Sequence, residues 1–334
     1  MARKNTPENK RRHVIGKSEE HGRRFTTISI KNYRCLKDFT IDSLERVNLI
    51  GGKNNVGKTT LLEILFLLVG NTNISLILSI NAFRGMEMFA GEAAAIRESL
   101  WSHLFHNLDS QANISIHGKL ETGEQISTTL KELDRVSTIL PFGGTPQVKA
   151  DAGTSGGLAK ALQLSYRDIT NREYSVILQV GAKGINLPPS TAEPLFPGIF
   201  LSGRRRPSLQ ENAIRYGQLE MAKSLHYLLP VLQIIEPRLK QLSVIVGASG
   251  PMLYGDIGLP QMLPMAVMGD GLGGLASILL SISSAPGGVV LIDEIENGLH
   301  HSILMKVWQV IADAARRHNT QIFATTHSWE CIVA

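Results

Sequence analysis

Hydrophobic and polar positions change period several times along the chain. Residues 24–30 alternate well enough to predict a strand, and Phe39-Thr40-Ile41 predicts a second strand at a sheet edge. Val47-Asn48-Leu49-Ile50 is a short apolar run that again reads as a strand, whereas Leu61-Leu62-Glu63-Ile64-Leu65-Phe66-Leu67-Leu68 predicts a helix. From about 70 to 200 the pattern is mixed. A helical piece is expected around 93–108, and short alternating segments at 113–120, 125–130 and 173–180 predict antiparallel strands. Residues 143–157, rich in Gly, Thr and Ser, predict a loop. Residues 197–202 read as a buried strand, and 208–242 as mostly helical, with Leu219, Ala222, Leu225, Leu228, Leu229, Leu232 and Ile235 close to helical spacing and Pro230 and Pro237 interrupting. Residues 242–264 hold strand-like pieces and turns. From Met265 onward the order is helix, strand, helix, strand, with the first helix expected at 276–282, and that alternation signals a parallel α/β core.

Composition narrows the class. At 334 residues and 43% apolar content the chain can fill a large α/β core. No apolar run approaches a membrane span, and no apolar stretch follows the N-terminal charges as a secretory signal requires. Cys35 and Cys331 match no metal or disulfide spacing, which suits a reducing cytosol. The net charge of +5 is local: residues 1–24 carry eight Lys/Arg against three acids, and the rest of the chain is balanced. That tail reads as a disordered, solubilising leader, with a weak arm for nucleic acid as the sharper alternative.

The strongest chemical signal lies between the 47–50 strand and the 61–68 helix. Gly52-Lys53-Asn54-Asn55-Val56-Gly57-Lys58-Thr59 fills the phosphate-loop pattern G-x-x-x-x-G-K-[ST], and Thr60 follows. The glycines let successive N–H groups, with Asn54 and Asn55 between them, face a phosphate chain at a helix N-terminus. Lys58 would reach the β- and γ-phosphates and the Thr59 hydroxyl would ligate Mg²⁺. Further on, Val289-Val290-Leu291-Ile292 ends in Asp293-Glu294, two carboxylates at the C-terminal end of a predicted central strand, where α/β sheets bind ligands. Asp293 would hold the Mg²⁺ shell and Glu294 would orient and deprotonate the attacking water. A third apolar strand, 321–326, ends at His327, placed to reach the γ-phosphate or that water. Gly269 and Gly271, in a Gly-rich turn before a helix, form a second candidate anion cradle, or else serve helix packing.

In this order the motifs resemble the ABC-type ATPase heads of the SMC, RecF and OLD families, and the small AAA-type ATP-binding proteins of the OLD-like group above all. Ile28-Ser29-Ile30-Lys31-Asn32-Tyr33-Arg34-Cys35, Asp293-Glu294-Ile295-Glu296-Asn297-Gly298-Leu299-His300 and Thr325-Thr326-His327-Ser328 carry the likeness, which spans about 25–334. The resemblance implies an α/β phosphate-loop NTPase fold with a mostly parallel core sheet, an antiparallel β subdomain and a short helical insertion. The expected layout is a tail (1–24) and one head (25–334), divided into first strands and phosphate loop (25–69), an antiparallel insert (70–207), a helical insertion (208–264) and the carboxylate and histidine core (265–334). It further implies a cytoplasmic, ATP-dependent head-to-tail homodimer, with ATP and Mg²⁺ between the loop of one subunit and the Gly-rich turn of the other, and with 296–300 crossing the seam.

The chain departs from the pattern in places. Met268-Gly269-Asp270-Gly271 lacks the signature serine, and no glutamine lid loop is found. The chain stops seven residues after His327, so the end of the head is expected to be missing or very short. A long coiled coil and a Toprim nuclease domain are both absent from this sequence, and so is the guanine-reading Asn/Thr-Lys-x-Asp pattern. Two outputs stay open: an ATPase that gates a partner or DNA in DNA metabolism or phage defence, or an ATP-sensing subunit with little hydrolysis that controls a separate Toprim- or HNH-type nuclease. Arg204, Arg205 and Arg206 read either as a patch for DNA phosphates or a trans arginine at the γ-phosphate, or as a solvated turn. Tyr33 and Arg34 read either as contacts to adenine or phosphate or as structural residues.

Overall fold

A computed structural model describes residues 23–86, 100–133, 160–181, 184–190, 194–203 and 209–334. Most of the basic tail, the 143–157 segment, the first part of the 93–108 piece and Arg204, Arg205 and Arg206 lie outside the described residues.

Period-two alternation builds the largest sheet. Strand β1 (Phe25–Tyr33) pairs with β2 (Leu36–Ile41), and both precede β3 (Val47–Gly51), which belongs to another sheet. Next come β4 (Ile114–Leu120), β5 (Gln125–Leu133), β6 (Ala161–Arg167), β7 (Glu173–Gly181) and β8 (Gly184–Asn186). The sheet order is β2-β1-β4-β5-β6-β7-β8, antiparallel throughout. One face is buried: Ile114, Ile116 and Leu120 on β4 line up with Ile126 and Leu130 on β5 and with Leu162 and Leu164 on β6. The β6 strand was not anticipated from the sequence, although its pattern is the same.

The parallel sheet is the smaller one. It combines β3 with β9 (Gly198–Leu201), β13 (Val289–Ile292) and β14 (Gln321–Thr326) in the order β3-β14-β13-β9, all parallel. A mostly parallel core was expected, but the seven-stranded antiparallel sheet is larger than the four-stranded parallel one. Both faces of the parallel sheet are covered, which explains the unbroken apolar runs of β13 and β14. Val289, Leu291 and Phe323 face the core shared with the large sheet, while Val290, Ile292, Ile322 and Ala324 face a second core.

Helix α1 (Lys58–Val69) lies between the two sheets and touches strands of both. Beyond Lys58-Thr59-Thr60 in its first turn its sequence has no polar face, as its position requires, and Glu63 is its one acid. Gln321 fastens the sheets together: its side chain accepts from the Phe25 N–H at 2.8 Å and donates to the Phe25 carbonyl at 2.8 Å and the Glu45 carbonyl at 2.9 Å. Arg24, counted with the tail from sequence, is instead anchored on the head by ion pairs to Glu45 and Glu121.

Helix α2 (Leu76–Phe83) follows α1. The described part of the 93–108 piece ends in two single 3₁₀ turns rather than a continuous helix, with Asn107 in left-handed backbone (φ 52°). The 208–242 stretch is two helices, α3 (Leu209–Met221) and α4 (Leu228–Leu232). Lys223 closes the first in a left-handed turn (φ 54°) that returns the Ser224 N–H to the Leu219 carbonyl, so the break precedes both prolines. Pro230 sits in the first turn of α4, where no helical N–H partner is lost. A three-stranded antiparallel sheet follows, β10 (Gln241–Gly247), β11 (Gly250–Asp256) and β12 (Leu263–Pro264). Then come α5 (Asp270–Ser284), α6 (Leu304–Arg317) and α7 (Trp329–Val333). Helix α5 starts six residues before its expected onset. Its buried stripe of Leu272, Leu275 and Leu279 carries the helix through Gly271, Gly273 and Gly274, despite their cost of about 1 kcal/mol each relative to Ala.

Candidate functional site

Strands β3, β13 and β14 end side by side, and the three predicted motifs leave the sheet at that one edge. Thr326 pairs with Gly51, so His327 and Gly52 emerge as neighbours, while Asp293 and Glu294 emerge from β13 on the other side of β14. The loop from Gly52 to Gly57 turns through left-handed backbone at Asn55 (φ 65°) and Gly57 (φ 97°). Gly57 has no room for a side chain, because a Cβ there would lie 2.7 Å from Cys35 Sγ in the β1–β2 turn. Helix α1 then starts with no side-chain cap and no acid in its first turn, which leaves its N-terminal dipole unopposed.

Lys58 reaches back across the loop and donates from Nζ to the Gly52 carbonyl at 2.7 Å and the Lys53 carbonyl at 2.8 Å. The Thr59 hydroxyl donates to the Asp293 carboxylate, at 3.1 Å from each oxygen. The Thr325 hydroxyl donates to Asp293 Oδ1 at 2.6 Å and accepts the Glu294 N–H at 2.9 Å. Burial pushes the Asp293 carboxyl above its ordinary value, against the hydrogen bonds from Thr325 and Thr59. A nearby cation would favour its ionised form. A threonine hydroxyl beside a carboxylate is a hard-oxygen donor set, which fits Mg²⁺.

Glu294 adopts left-handed backbone (φ 52°), a conformation that costs a non-glycine residue about 1–2 kcal/mol. The turn sends the chain away from the strand directly after Asp293, and the Ile295 N–H rejoins it at the Thr325 carbonyl. Glu294 Oε2 accepts from Asn297 Nδ2 at 2.8 Å. Gly203, after β9, leaves space for this carboxylate: a Cβ there would sit 2.9 Å from Glu294 Oε2.

Among the other predicted residues, Asn54 and Asn55 are exposed on the loop. Thr60 is buried, with its Oγ1 toward Arg84 at 3.5 Å, so only its backbone N–H is left to face a phosphate. Gly269 is exposed in left-handed backbone with open space around it (φ 104°). Gly271 has a packing reason instead, since a Cβ there would lie 2.4 Å from the Gly298 carbonyl. This close approach ties the start of α5 to the turn that follows Asp293-Glu294.

Beneath the phosphate loop, Glu63 is fully buried and accepts from two arginines: Arg34 Nη1 at 2.8 Å, and Arg84 Nε and Nη2 at 2.7 and 2.9 Å. Arg34 is itself 10% exposed, and Tyr33 beside it is fully buried with its phenol pushed up by desolvation. Both residues therefore serve the structure. Glu63→Ala would leave two guanidiniums unpaired under α1, and a loss of about 3–5 kcal/mol is expected. Urea unfolding checks this, and an unchanged midpoint would mean that the arginines find solvent.

From the sequence, Thr325 and Gly203 had no role of their own, Glu296 was placed only in the 296–300 seam segment, and Glu63 was not paired with Arg34 and Arg84. A threonine pair ending an apolar strand, and one acid in an otherwise apolar helix, were the available signals.

The family model described as "AAA domain, putative AbiEii toxin, Type IV TA system" matches residues 47–332, from β3 into α7. The chain belongs to this AAA-domain family. A Helicobacter pylori protein described as an ATP/GTP phosphatase is 26% identical over 338 residues, covering 92% of this chain and 86% of that one. Among solved structures, the SMC head domain from Thermotoga maritima aligns with a TM-score of 0.42 at 11% identity, covering 93% of this chain and 91% of that chain. An SMC head bound to the C-winged helix domain of ScpA aligns at 0.44 and 11%, covering 92% and 91%. Among the described residues no helix is long and apolar enough to cross a membrane.

Proposed function

We propose that this head binds ATP with Mg²⁺ and hydrolyses it to ADP and phosphate. The observation that carries the reading is the Thr59–Asp293 contact, which joins the phosphate loop to the carboxylate strand across 234 residues of sequence. The loop amides and the α1 dipole cradle the phosphates, and the Lys58 ammonium turns from the loop carbonyls to the β- and γ-phosphates. Thr59 and Asp293 hold the metal ion, which when bound neutralises charge developing on the phosphate oxygens. Glu294 accepts a proton from a water as the water oxygen bonds to the γ-phosphorus and the bond to the ADP oxygen breaks. His327, at the neighbouring strand end, contacts that water or the γ-phosphate and couples hydrolysis to the state of the site.

The reading extends to assembly and output. ATP closes two copies into a homodimer, with Gly269 and its exposed turn meeting the partner's nucleotide, and hydrolysis releases them. Opening and closing gates a cytoplasmic partner, a separate nuclease or DNA, in DNA metabolism or phage defence. Residues 25–334 act as one head, with 1–24 as its tail.

Phosphate release from ATP and Mg²⁺ by the purified chain tests the core of the reading. His327→Ala should slow turnover more than it weakens ATP binding. Loss of binding alone would make His327 structural, and tight ATP binding without turnover in the unaltered chain would favour the ATP-sensing subunit.

A further inference from the structure

Glu296 lies two residues past Glu294, and its side chain is only 11% exposed. One of its oxygens gathers the end of β14: Oε1 accepts the His327 N–H at 2.8 Å and the Ser328 N–H at 3.2 Å, and lies 3.0 Å from His327 Nδ1. Oε2 is buried and has no hydrogen-bond partner among the described residues. The backbone contact decides which ring nitrogen is held. An oxygen bonded to the histidine's own N–H is within reach of Nδ1, the ring nitrogen nearer the main chain, and Nε2 points away from it. A carboxylate only accepts, so the nitrogen facing it carries the proton.

We propose that Glu296 is a positioning residue that fixes His327 as the Nδ1–H tautomer and leaves Nε2 as a bare acceptor. This rests on the reading that His327 serves hydrolysis, and it selects between the two roles open to that residue. A neutral imidazole whose only N–H is committed to Glu296 does not donate to a phosphate oxygen. It accepts from water. A water molecule has two O–H bonds, so Glu294 engages one and takes its proton while His327 Nε2 accepts a hydrogen bond from the other. The oxygen lone pair is thereby turned toward phosphorus. Glu296 thus adds a third carboxylate to the Asp293–Glu294 pair, one that acts through the histidine.

The test is ¹⁵N NMR of the full chain labelled at histidine, at about pH 9, well above the ordinary histidine value. The His327 signals are assigned by their loss in His327→Ala. Wild type should show a protonated Nδ1 and an unprotonated Nε2 without any nucleotide. Glu296→Gln, whose amide oxygen still accepts, should keep that pattern, and Glu296→Ala should move the proton to Nε2. In turnover assays Glu296→Ala should lower kcat roughly tenfold or more, the order seen when the partner that orients a histidine is lost, with KM little changed. Combined with His327→Ala it should add little, because the two residues act as a unit. A wild-type ring protonated at Nε2, an unchanged tautomer in Glu296→Ala, or additive losses in the double variant would overturn the proposal. If Glu296→Ala does not fold, wild type and Glu296→Gln decide the tautomer. If the tautomer is as stated while His327→Ala turns over normally, the assignment of His327 to hydrolysis falls and the positioning by Glu296 stands.

Discussion

Lys58→Ala is expected to lose ATP binding. The Lys58 ammonium spans the mouth of the phosphate loop on the Gly52 and Lys53 carbonyls, and it stands at the start of α1 with no acid in the first turn to offset it. A hydrogen bond to a charged group contributes about 1.5–3 kcal/mol. Removing an ammonium that bonds two phosphate oxygens therefore weakens ATP by roughly a hundredfold or more. The side chain is partly exposed and does not belong to the buried core, so the variant should unfold like the wild type. Calorimetric titration with ATP and Mg²⁺, beside an unfolding curve, reads both quantities. Unchanged affinity in a folded variant would remove the loop from the nucleotide site.

Glu294→Gln is expected to separate binding from turnover. The amide keeps the shape of the carboxylate and can still accept from Asn297, and its neighbour Asp293 keeps the bonds from Thr59 and Thr325. Only the base is lost. Turnover should fall by about a hundredfold or more while the ATP dissociation constant stays within a few-fold of wild type. With hydrolysis blocked, ATP should hold two copies together, visible as a shift to dimer in size-exclusion chromatography with light scattering. Normal turnover would assign the base elsewhere, and a monomer in saturating ATP would sink the proposed closure.

The motifs legible in the sequence share one property: each is a run of consecutive residues placed by local backbone geometry. The phosphate loop needs glycine at Gly57 because of its left-handed φ, and an apolar strand before it and a helix after it, all within residues 47–69. The apolar runs of β13 and β14 predicted covered parallel strands for the same local reason, since a strand buried on both faces has no polar alternation.

What only the tertiary structure decided was which side chains meet. Glu63 finds Arg34 29 residues away and Arg84 21 residues away, Asp293, expected from its motif to share a metal ion with Thr59, also finds Thr325 at 32, and Glu296 finds His327 at 31. The balance between the two sheets was equally hidden, because alternation marks a strand but does not say which strands pair or how many join one sheet. Spacing along a chain encodes local backbone geometry and leaves distant pairings open. A buried charge or hydroxyl takes its partner from whichever strand or helix packs against it, and the two cores that fix that packing are assembled from every part of the described chain.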